Sequence, residues 1–264
     1  MKKINQLIAL LVLSATLIVG GCKKDKDEEL DAETQSSSDN FLVESNVNDE
    51  LKEVDAAATN TQLGKAGPVI TIDSASSPKK MTLDYGTSTL CADGKIRSGK
   101  IIVTWTGRYR ETGTIITIVP ENFFQNGNKV EGTKTIENKG RNAAGNLYYT
   151  VTVTNAKVTK ADAKVRTWNA TRNREWIAGE STAAWNDDVY LLTGNANGVN
   201  ANGLNYSANI TTALRVDLSC QYRITAGVVE LIPQGKRTRT VDYGNGVCDN
   251  TIIVTIGNKS YTIN

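Results

Sequence analysis

The sequence has 264 residues, of which 39% are hydrophobic and 22% are charged, a composition typical of globular proteins that excludes collagen and coiled coils. It contains no histidine. Mechanisms that need imidazole, including the Ser-His-Asp, Cys-His and His-zinc classes, are therefore excluded. We find no other enzymatic signature and no cofactor or metal motif, and we expect a protein that binds a partner rather than an enzyme.

The N-terminal residues have the features of a signal peptide. Two lysines precede an apolar run of 13 residues, 7–19, which is shorter than the roughly 20 residues that a membrane-spanning helix needs. The run ends in Val19-Gly20-Gly21-Cys22, which resembles the lipobox of bacterial lipoproteins, although Gly20 departs slightly from the usual residue there. The resemblance implies a lipoprotein signal peptide over 1–21 and a lipid on Cys22. The alternative is an ordinary cleaved signal followed by an incidental cysteine.

The charged run after Cys22, Lys23 to Glu29, resembles the surface-export signal of Bacteroidota lipoproteins. A solvated charge run that keeps the chain off the membrane is the alternative. We expect an outer-membrane protein anchored by its lipid and displayed at the cell surface, with a periplasm-facing orientation as the alternative. The membrane is then its first partner, held through the N-terminal lipid.

The charge of the chain is divided between two parts. Residues 23–60 contain 4 Lys against 12 Asp and Glu, a net charge of −8, whereas 61–264 contain 24 Lys and Arg against 16 Asp and Glu, a net charge of +8. This division predicts an acidic tether over 22–60 and a single basic domain over 61–264. A basic domain favours anionic partners. Nucleic acid is not expected, because no binding motif is present and a surface anchor removes access to the genome.

The tether contains one helical pattern. Asp39 is a suitable N-cap, and the apolar residues that follow recur at steps of three or four. These are Val43, Val47, Leu51, Val54 and Ala58. The spacing predicts an amphipathic helix at about 39–58 that docks on the β-domain through its apolar stripe and carries its acids on the far face.

From Val69 onward, β-branched and aromatic residues alternate with polar ones, as in Ile101–Thr106, Thr114–Val119 and Tyr148–Val153. Turn residues that accept a positive φ separate these runs. They are Asn126-Gly127, Ala144-Gly145-Asn146, Asn202-Gly203 and Gly244-Asn245-Gly246. We predict an all-β fold, an antiparallel meander that forms a β-sandwich or a barrel-like sheet.

The predicted domain contains three cysteines, Cys91, Cys220 and Cys248. In an oxidising envelope we favour a Cys220–Cys248 disulfide, which closes a loop with 27 residues between the cysteines. A Cys91–Cys248 bond is the rival, because both cysteines follow an Asp-Tyr-Gly segment. Three reduced cysteines are the remaining alternative.

Four segments carry a resemblance to a known family: Asp93–Lys100, Thr106–Thr114, Asn126–Thr133 and Asp242–Asp249. Together they resemble a family of Bacteroidota envelope lipoproteins with no known activity. The resemblance covers most of 70–264. It implies a secreted, lipid-anchored β-protein and brings no catalytic residue with it.

Three Arg-x-Arg pairs are candidates for anion binding, because residues i and i+2 of a strand share a face and would present two guanidinium groups side by side. The pairs are Arg108/Arg110, Arg172/Arg174 and Arg237/Arg239. Aromatic residues that could stack on sugar rings lie near them, namely Trp105, Tyr109, Trp168, Trp176 and Trp185. Together these residues predict a site for an anionic polysaccharide. The alternative is that the arginines cover a solvent face and the tryptophans fill the core.

Two further patterns are weaker. Asp73-Ser74-Ala75 resembles the O-glycosylation acceptor of Bacteroidota envelope proteins and makes Ser74 a candidate. Glu175 and Glu180 are the nearest approach to a pair of catalytic acids, but five residues apart on a strand they point to opposite faces. Besides glycan binding, the functional hypotheses are a structural or adhesion component that binds an envelope protein and, more weakly, a polysaccharide hydrolase or lyase without histidine.

Overall fold

The computed structural model describes residues 31–58, 66–182, 184 and 186–263. Cys22 and Trp185 lie outside these residues. The described residues form one helix, α1 (Gln35–Ala58), and 14 strands. The strands are β1 (Val69–Asp73), β2 (Lys79–Asp84), β3 (Thr89–Leu90), β4 (Ile96–Trp105), β5 (Ile115–Gln125), β6 (Asn128–Arg141), β7 (Leu147–Thr159), β8 (Val165–Ala178), β9 (Val189–Val199), β10 (Asn205–Asp217), β11 (Ile224–Pro233), β12 (Arg239–Asn245), β13 (Ile252–Ile256) and β14 (Lys259–Ile263).

The strands form one antiparallel meander. Their order in the sheet follows their order in the chain, except that the short β3 pairs with β4 off the main path. The path runs from β1 to β14 without closing, so these two strands are its edges. The all-β class and the antiparallel meander predicted from the sequence are confirmed, and the strands belong to a single sheet rather than to two.

Local sequence explains the hairpins and bends of this sheet. β5 and β6 are joined by Asn126-Gly127, both at positive φ (49° and 77°), as the two-residue hairpin signal predicts. Gly132 in β6 lies at a register shift against β7, and a Cβ there would be 2.7 Å from the Cα of Ala156. Only glycine fits at such a bulge, which bends and twists the strand locally.

α1 packs against one face of the sheet, where it contacts β5, β7, β8 and β11. It begins four residues before the predicted start, at Gln35, and ends at Ala58 as expected. Val43, Val47 and Val54 are buried, which confirms three members of the apolar stripe, while the side chains of Leu51 and Ala58 lie outside those described. Val43 and Val47 join a core cluster with strands β7 to β13, and Val54 joins a second cluster with strands from β2 to β9. The helix therefore connects the two halves of the core.

The helix belongs to the folded body. Residues 32–264 form one compact unit that contains both α1 and the whole sheet. The boundary predicted at residue 60, between tether and β-domain, thus separates the helix from the sheet on which it packs. In the described part of the chain, no helix combines the length and the apolar character that crossing a membrane requires.

One disulfide joins two loops. Cys220, in the turn between β10 and β11, is bonded to Cys248, in the segment between β12 and β13, with 5.6 Å between their Cα atoms. The favoured pairing is therefore confirmed. Cys91 is a buried free thiol, and burial raises its pKa above the ordinary value.

Candidate functional site

The acidic side chains of α1 point toward the sheet. Asp39, Glu44, Glu50 and Glu53 are all buried, so the prediction that the helical acids occupy the far face is wrong. The physical reason is that basic side chains of the sheet meet them there, which supplies the charge partners that buried carboxylates need.

These contacts form a ladder of ion pairs along the helix and the two residues before it. Each pairs an acid with a basic side chain from a strand or an adjoining turn. The pairs are Glu33–Arg239 (3.4 Å), Asp39–Arg166 (2.5 Å), Glu44–Arg172 (3.4 Å), Asp49–Lys95 and Glu53–Arg97 (3.4 Å). The basic charge counted in 61–264 is therefore partly neutralised within the fold by the acidic charge counted in 23–60.

Arg172 and Arg174 lie side by side on the inner face of β8, as their spacing predicts, but they are only 3% and 7% exposed. Arg239 is fully buried and donates to the backbone carbonyl of Glu33 at 3.0 and 3.1 Å. These three arginines therefore lie inside the fold rather than on a solvent face, and their role in anion binding stays a prediction. Alternation along a strand shows which residues share a face, but it does not show whether that face is exposed to solvent. Here the shared face is buried.

The other three candidate arginines are exposed and lie outside the strands. Arg108 and Arg110 belong to the loop between β4 and β5, and Arg237 precedes β12. The strand argument therefore does not apply to the Arg108/Arg110 and Arg237/Arg239 pairs. Arg110 instead lies over the indole ring of Trp176, 4.7 Å from its centroid.

The proposed aromatic platform is part of the core. Trp168 and Trp176 are 2% and 4% exposed, and Trp105 and Tyr109 pack against the second core cluster. Both buried indoles donate hydrogen bonds, Trp168 to Asn40 at 3.0 Å and Trp176 to Asp188 at 3.2 Å. Trp168 and Trp176 therefore fill the core, as the alternative predicted, whereas Trp105 and Tyr109 are half-buried.

Arg174 is surrounded by tyrosines. Its guanidinium lies 5.9, 5.2 and 4.6 Å from the ring centroids of Tyr109, Tyr149 and Tyr190, and it donates to the Tyr109 hydroxyl. Tyr109 stacks on Tyr149 with 4.9 Å between ring centroids. Burial raises the pKa of Tyr149 to about 12. This cluster holds a charged group by ring contacts as well as hydrogen bonds.

A cavity of about 440 Å³ lies between α1 and the inner face of the sheet. Much of its wall is apolar: Phe41, Val47, Val151, Val153, Leu192, Val216, Leu218 and Ile224. Exposed or half-buried polar residues mark its mouth, among them Asn48, Gln221, Tyr222 and Asn250. The volume and the mixed lining are those of a small-molecule site.

Charged groups also line the cavity. Arg172 donates to one oxygen of Glu44 from Nε and from Nη2, at 3.4 Å each. Nη1 of Arg172 and Oε2 of Glu44 are buried and have no hydrogen-bond partner in the part of the chain that the structure describes. Such groups are costly in a protein interior and mark places where a further partner is needed.

Lys134 and Glu50 lie near the same region. Lys134 lines the cavity and donates to the backbone carbonyl of Val47. Burial raises the pKa of Glu50 to about 7, an effect that the charge of Lys134 opposes and that of Asp49 reinforces. The interior next to the cavity therefore contains a carboxyl that titrates near neutral pH.

The disulfide lies at the mouth of the cavity. Gln221, Tyr222 and Arg223 directly follow Cys220, and Asn250 comes two residues after Cys248. Burial lowers the pKa of Arg223. The bond thus ties together two loops that both line the opening.

Sequence reasoning missed this cavity because its lining comes from the helix, from six strands and from three loops. The orientation of the acids did leave a signal in the helical spacing. Asp39 stands four residues before Val43, and Glu50 stands four residues before Val54, which places both acids on the apolar stripe. An acid at such a position indicates a basic partner in the core.

The remaining predicted residues lie elsewhere. Ser74 is exposed in the turn between β1 and β2, next to Asp73, whose side chain accepts bonds from the amides of Ala75 and Ser76. Its glycosylation remains a prediction. Within the described ranges, no three acidic or cysteine side chains group closely enough to hold a metal ion.

The two glutamates considered as a catalytic pair are engaged separately. Glu175 accepts hydrogen bonds from Asn142 and Asn146 at 2.8 Å each, whereas Glu180 forms an ion pair with Arg141. These bonds lower the pKa of both carboxyls.

Comparison of the chain with protein families, with curated proteins and with solved structures finds no match.

Proposed function

We propose that this protein is a lipoprotein of the bacterial outer membrane that binds an anionic ligand without transforming it. The sequence supports the anchor through the lipobox-like segment ending in Cys22 and through the resemblance to Bacteroidota envelope lipoproteins. Mass spectrometry of the natural protein tests this part. We expect an N-terminal peptide that begins with an acylated Cys22, and an unmodified Cys22 with the leader still attached would contradict it.

The observation that supports ligand binding is the cavity between α1 and the sheet. Five basic residues line it, namely Lys95, Lys134, Arg172, Arg174 and Arg223, against the three acidic residues Glu44, Asp49 and Asp93. The excess of positive charge favours an anion, and the apolar walls favour a ligand that also has apolar surface. An acidic end group of a polysaccharide is one such ligand, because it carries a carboxylate and a C–H surface. The glycan hypothesis is therefore kept, with its site in the cavity rather than on the surface.

Binding of acidic oligosaccharides to matched arginine variants tests this proposal. Arg172→Gln removes a charge that lines the cavity, whereas Arg108→Gln removes an exposed charge from a loop. We expect Arg172→Gln to raise the Kd by about tenfold or more and Arg108→Gln to leave it nearly unchanged. Equal Kd values for the two variants would contradict the cavity as the site, provided that both proteins unfold cooperatively.

A second candidate function is attachment to an envelope protein through the sheet edge. Among the described residues β1 pairs only with β2, and it exposes Val69 (71%) and Ile72 (58%). Such an edge can pair with a strand of another protein. Crosslinking in whole cells should then recover one dominant protein, and Ile72→Lys should abolish its recovery. Unchanged recovery with Ile72→Lys would exclude this edge.

A further inference from the structure

Resting on the binding role proposed above, we infer that the cavity ligand is a hydroxy acid with a compact apolar body. Its carboxylate binds Arg172, and a neighbouring hydroxyl donates to Glu44. The inference concerns the chemical class of the ligand, and each of its three parts corresponds to a separate feature of the cavity.

The carboxylate corresponds to Arg172. A guanidinium has five N–H donors in a planar fork. In Arg172, Nε and Nη2 both reach the same oxygen of Glu44, at 3.4 Å, while Nη1 has no hydrogen-bond partner among the described residues. Charge-assisted N–H···O bonds are normally about 2.7 to 2.9 Å long, so the pair with Glu44 is loose. A carboxylate in the cavity would accept hydrogen bonds from the guanidinium donors that Glu44 leaves unsatisfied.

The hydroxyl corresponds to Glu44. Oε2 of Glu44 has no hydrogen-bond partner within the described ranges and, in an ionised carboxylate, can only accept a hydrogen bond. A ligand that offered only a carboxylate here would place two negative charges together, whereas a hydroxyl beside the ligand carboxylate gives Glu44 a donor. Nη1 and Oε2 are shielded in the structure, so the loosely held pair must turn toward the cavity for a ligand to reach these two atoms.

The apolar body corresponds to the walls. Val151, Val153 and Leu192, from β7 and β9, face the helix across the cavity and offer no hydrogen bonds from their side chains. A volume of about 440 Å³ accommodates a small acidic saccharide or a hydroxy acid with a medium-length aliphatic chain. Both carry a carboxylate, a nearby hydroxyl and a C–H surface, so they are two sources of one chemistry.

A matched ligand series on the protein of residues 23–264, which keeps every described residue, tests the inference by calorimetry. The probes are 3-hydroxydecanoate, decanoate, 1,3-decanediol and digalacturonate. We expect 3-hydroxydecanoate or digalacturonate to bind, and the one that binds identifies the source. If the aliphatic acid binds, it should do so about tenfold more tightly than decanoate or the diol. If digalacturonate binds, its deoxy analogue that lacks the hydroxyl next to the carboxylate should bind about tenfold more weakly.

Two cavity variants and one surface control assign the effect to its residue. Glu44→Gln should remove most of the tenfold gain from the hydroxyl, whereas Glu230→Gln, an exposed carboxylate on β11, should keep it. Arg172→Gln should weaken every acid in the series and leave the diol unaffected. If Glu44→Gln does not fold, the ligand series on the unaltered chain decides the matter by itself.

The contrary results are distinguishable. Equal affinity for acids with and without the hydroxyl overturns the inference and leaves the binding of anions intact. An absence of binding by every acid tested, saccharide and aliphatic alike, overturns the proposed function as well.

Discussion

Two arginines bind carboxylates with similar hydrogen-bond distances but in different surroundings. One lies inside the fold and the other on the surface. The Arg97 side chain is fully buried and donates two bonds of 2.8 Å to Asp93, with Glu53 of α1 at 3.4 Å. The Arg141 side chain is 55% exposed and donates bonds of 3.0 and 2.5 Å to Glu180. Water can replace the partner of Arg141 but not those of Arg97, so we expect the removal of one partner to cost far more stability at Arg97 than at Arg141.

The largest expected effect of a single substitution comes from breaking an inner pair. Arg97→Met leaves Asp93 and the buried Glu53 without their guanidinium and should lower the free energy of unfolding by about 3 to 5 kcal/mol. Arg141→Gln should lower it by about 1 kcal/mol or less. Urea denaturation of both variants measures the difference. Similar losses in the two would show that burial does not separate the two groups.

The disulfide should come next in magnitude. Replacing Cys220 and Cys248 together by serine opens a loop with 27 residues between the cysteines and should lower the free energy of unfolding by about 3 kcal/mol. Because both loops line the cavity mouth, affinity for acidic probes should also fall. Reductant should destabilise the natural protein to the same extent and leave the double variant unchanged. A double variant as stable as the natural protein would contradict the assignment.

The titration of Glu50 gives a smaller effect with a defined sign. Its pKa is about 7 in the fold against 4.5 for the unperturbed group, so between these values the folded state binds more protons than the unfolded state. The contribution of Glu50 to stability therefore falls as the pH rises from about 4.5 to about 7. Glu50→Gln should be more stable than the natural protein at pH 8, by about 1 to 3 kcal/mol, and nearly equal to it at pH 4.

Glu175→Gln is a control of opposite sign. Hydrogen bonds from Asn146 and Asn142 lower the pKa of Glu175, so its stabilising contribution is present above the unfolded pKa and is lost as the pH falls through the folded pKa. This variant should be slightly less stable at pH 8. If Glu50→Gln and Glu175→Gln show the same sign of change at pH 8, the burial argument for Glu50 is wrong.

The smallest effect is expected at the surface contact between Arg110 and Trp176. Arg110→Ala removes an exposed cation from the indole face and should cost about 0.5 to 1 kcal/mol. The fluorescence of Trp176 should change, because its ring loses a covering group. An unchanged spectrum would show that the contact does not persist in solution.

Sequence patterns predicted the parts of this fold that depend on local rules. Alternation located β4, β5 and β7, Asn126-Gly127 specified a two-residue hairpin, and the valines at 43, 47 and 54 identified the buried side of the helix. Each of these follows from backbone geometry and from the period of apolar residues.

The candidate site could not be predicted in the same way. Spacing places Arg172 and Arg174 on one face but does not tell whether water or a helix covers that face. Asn48 and Tyr222 both line the cavity although they are 174 positions apart in the chain, and only the packing of α1 on the sheet brings them to the same opening. The charge count likewise assigned the acids of α1 and the arginines to two separate parts of the chain. It did not predict that these acids and arginines form ion pairs.

The central claim is that α1 is an integral, ion-paired part of the sheet's interior. Urea denaturation of residues 31–264 and of residues 61–264 tests it most directly, because the shorter chain leaves Arg166, Arg172 and Arg239 without the carboxylates that they contact. We predict one cooperative transition for the longer chain and none for the shorter. The same midpoint and the same denaturant dependence for both would contradict the claim.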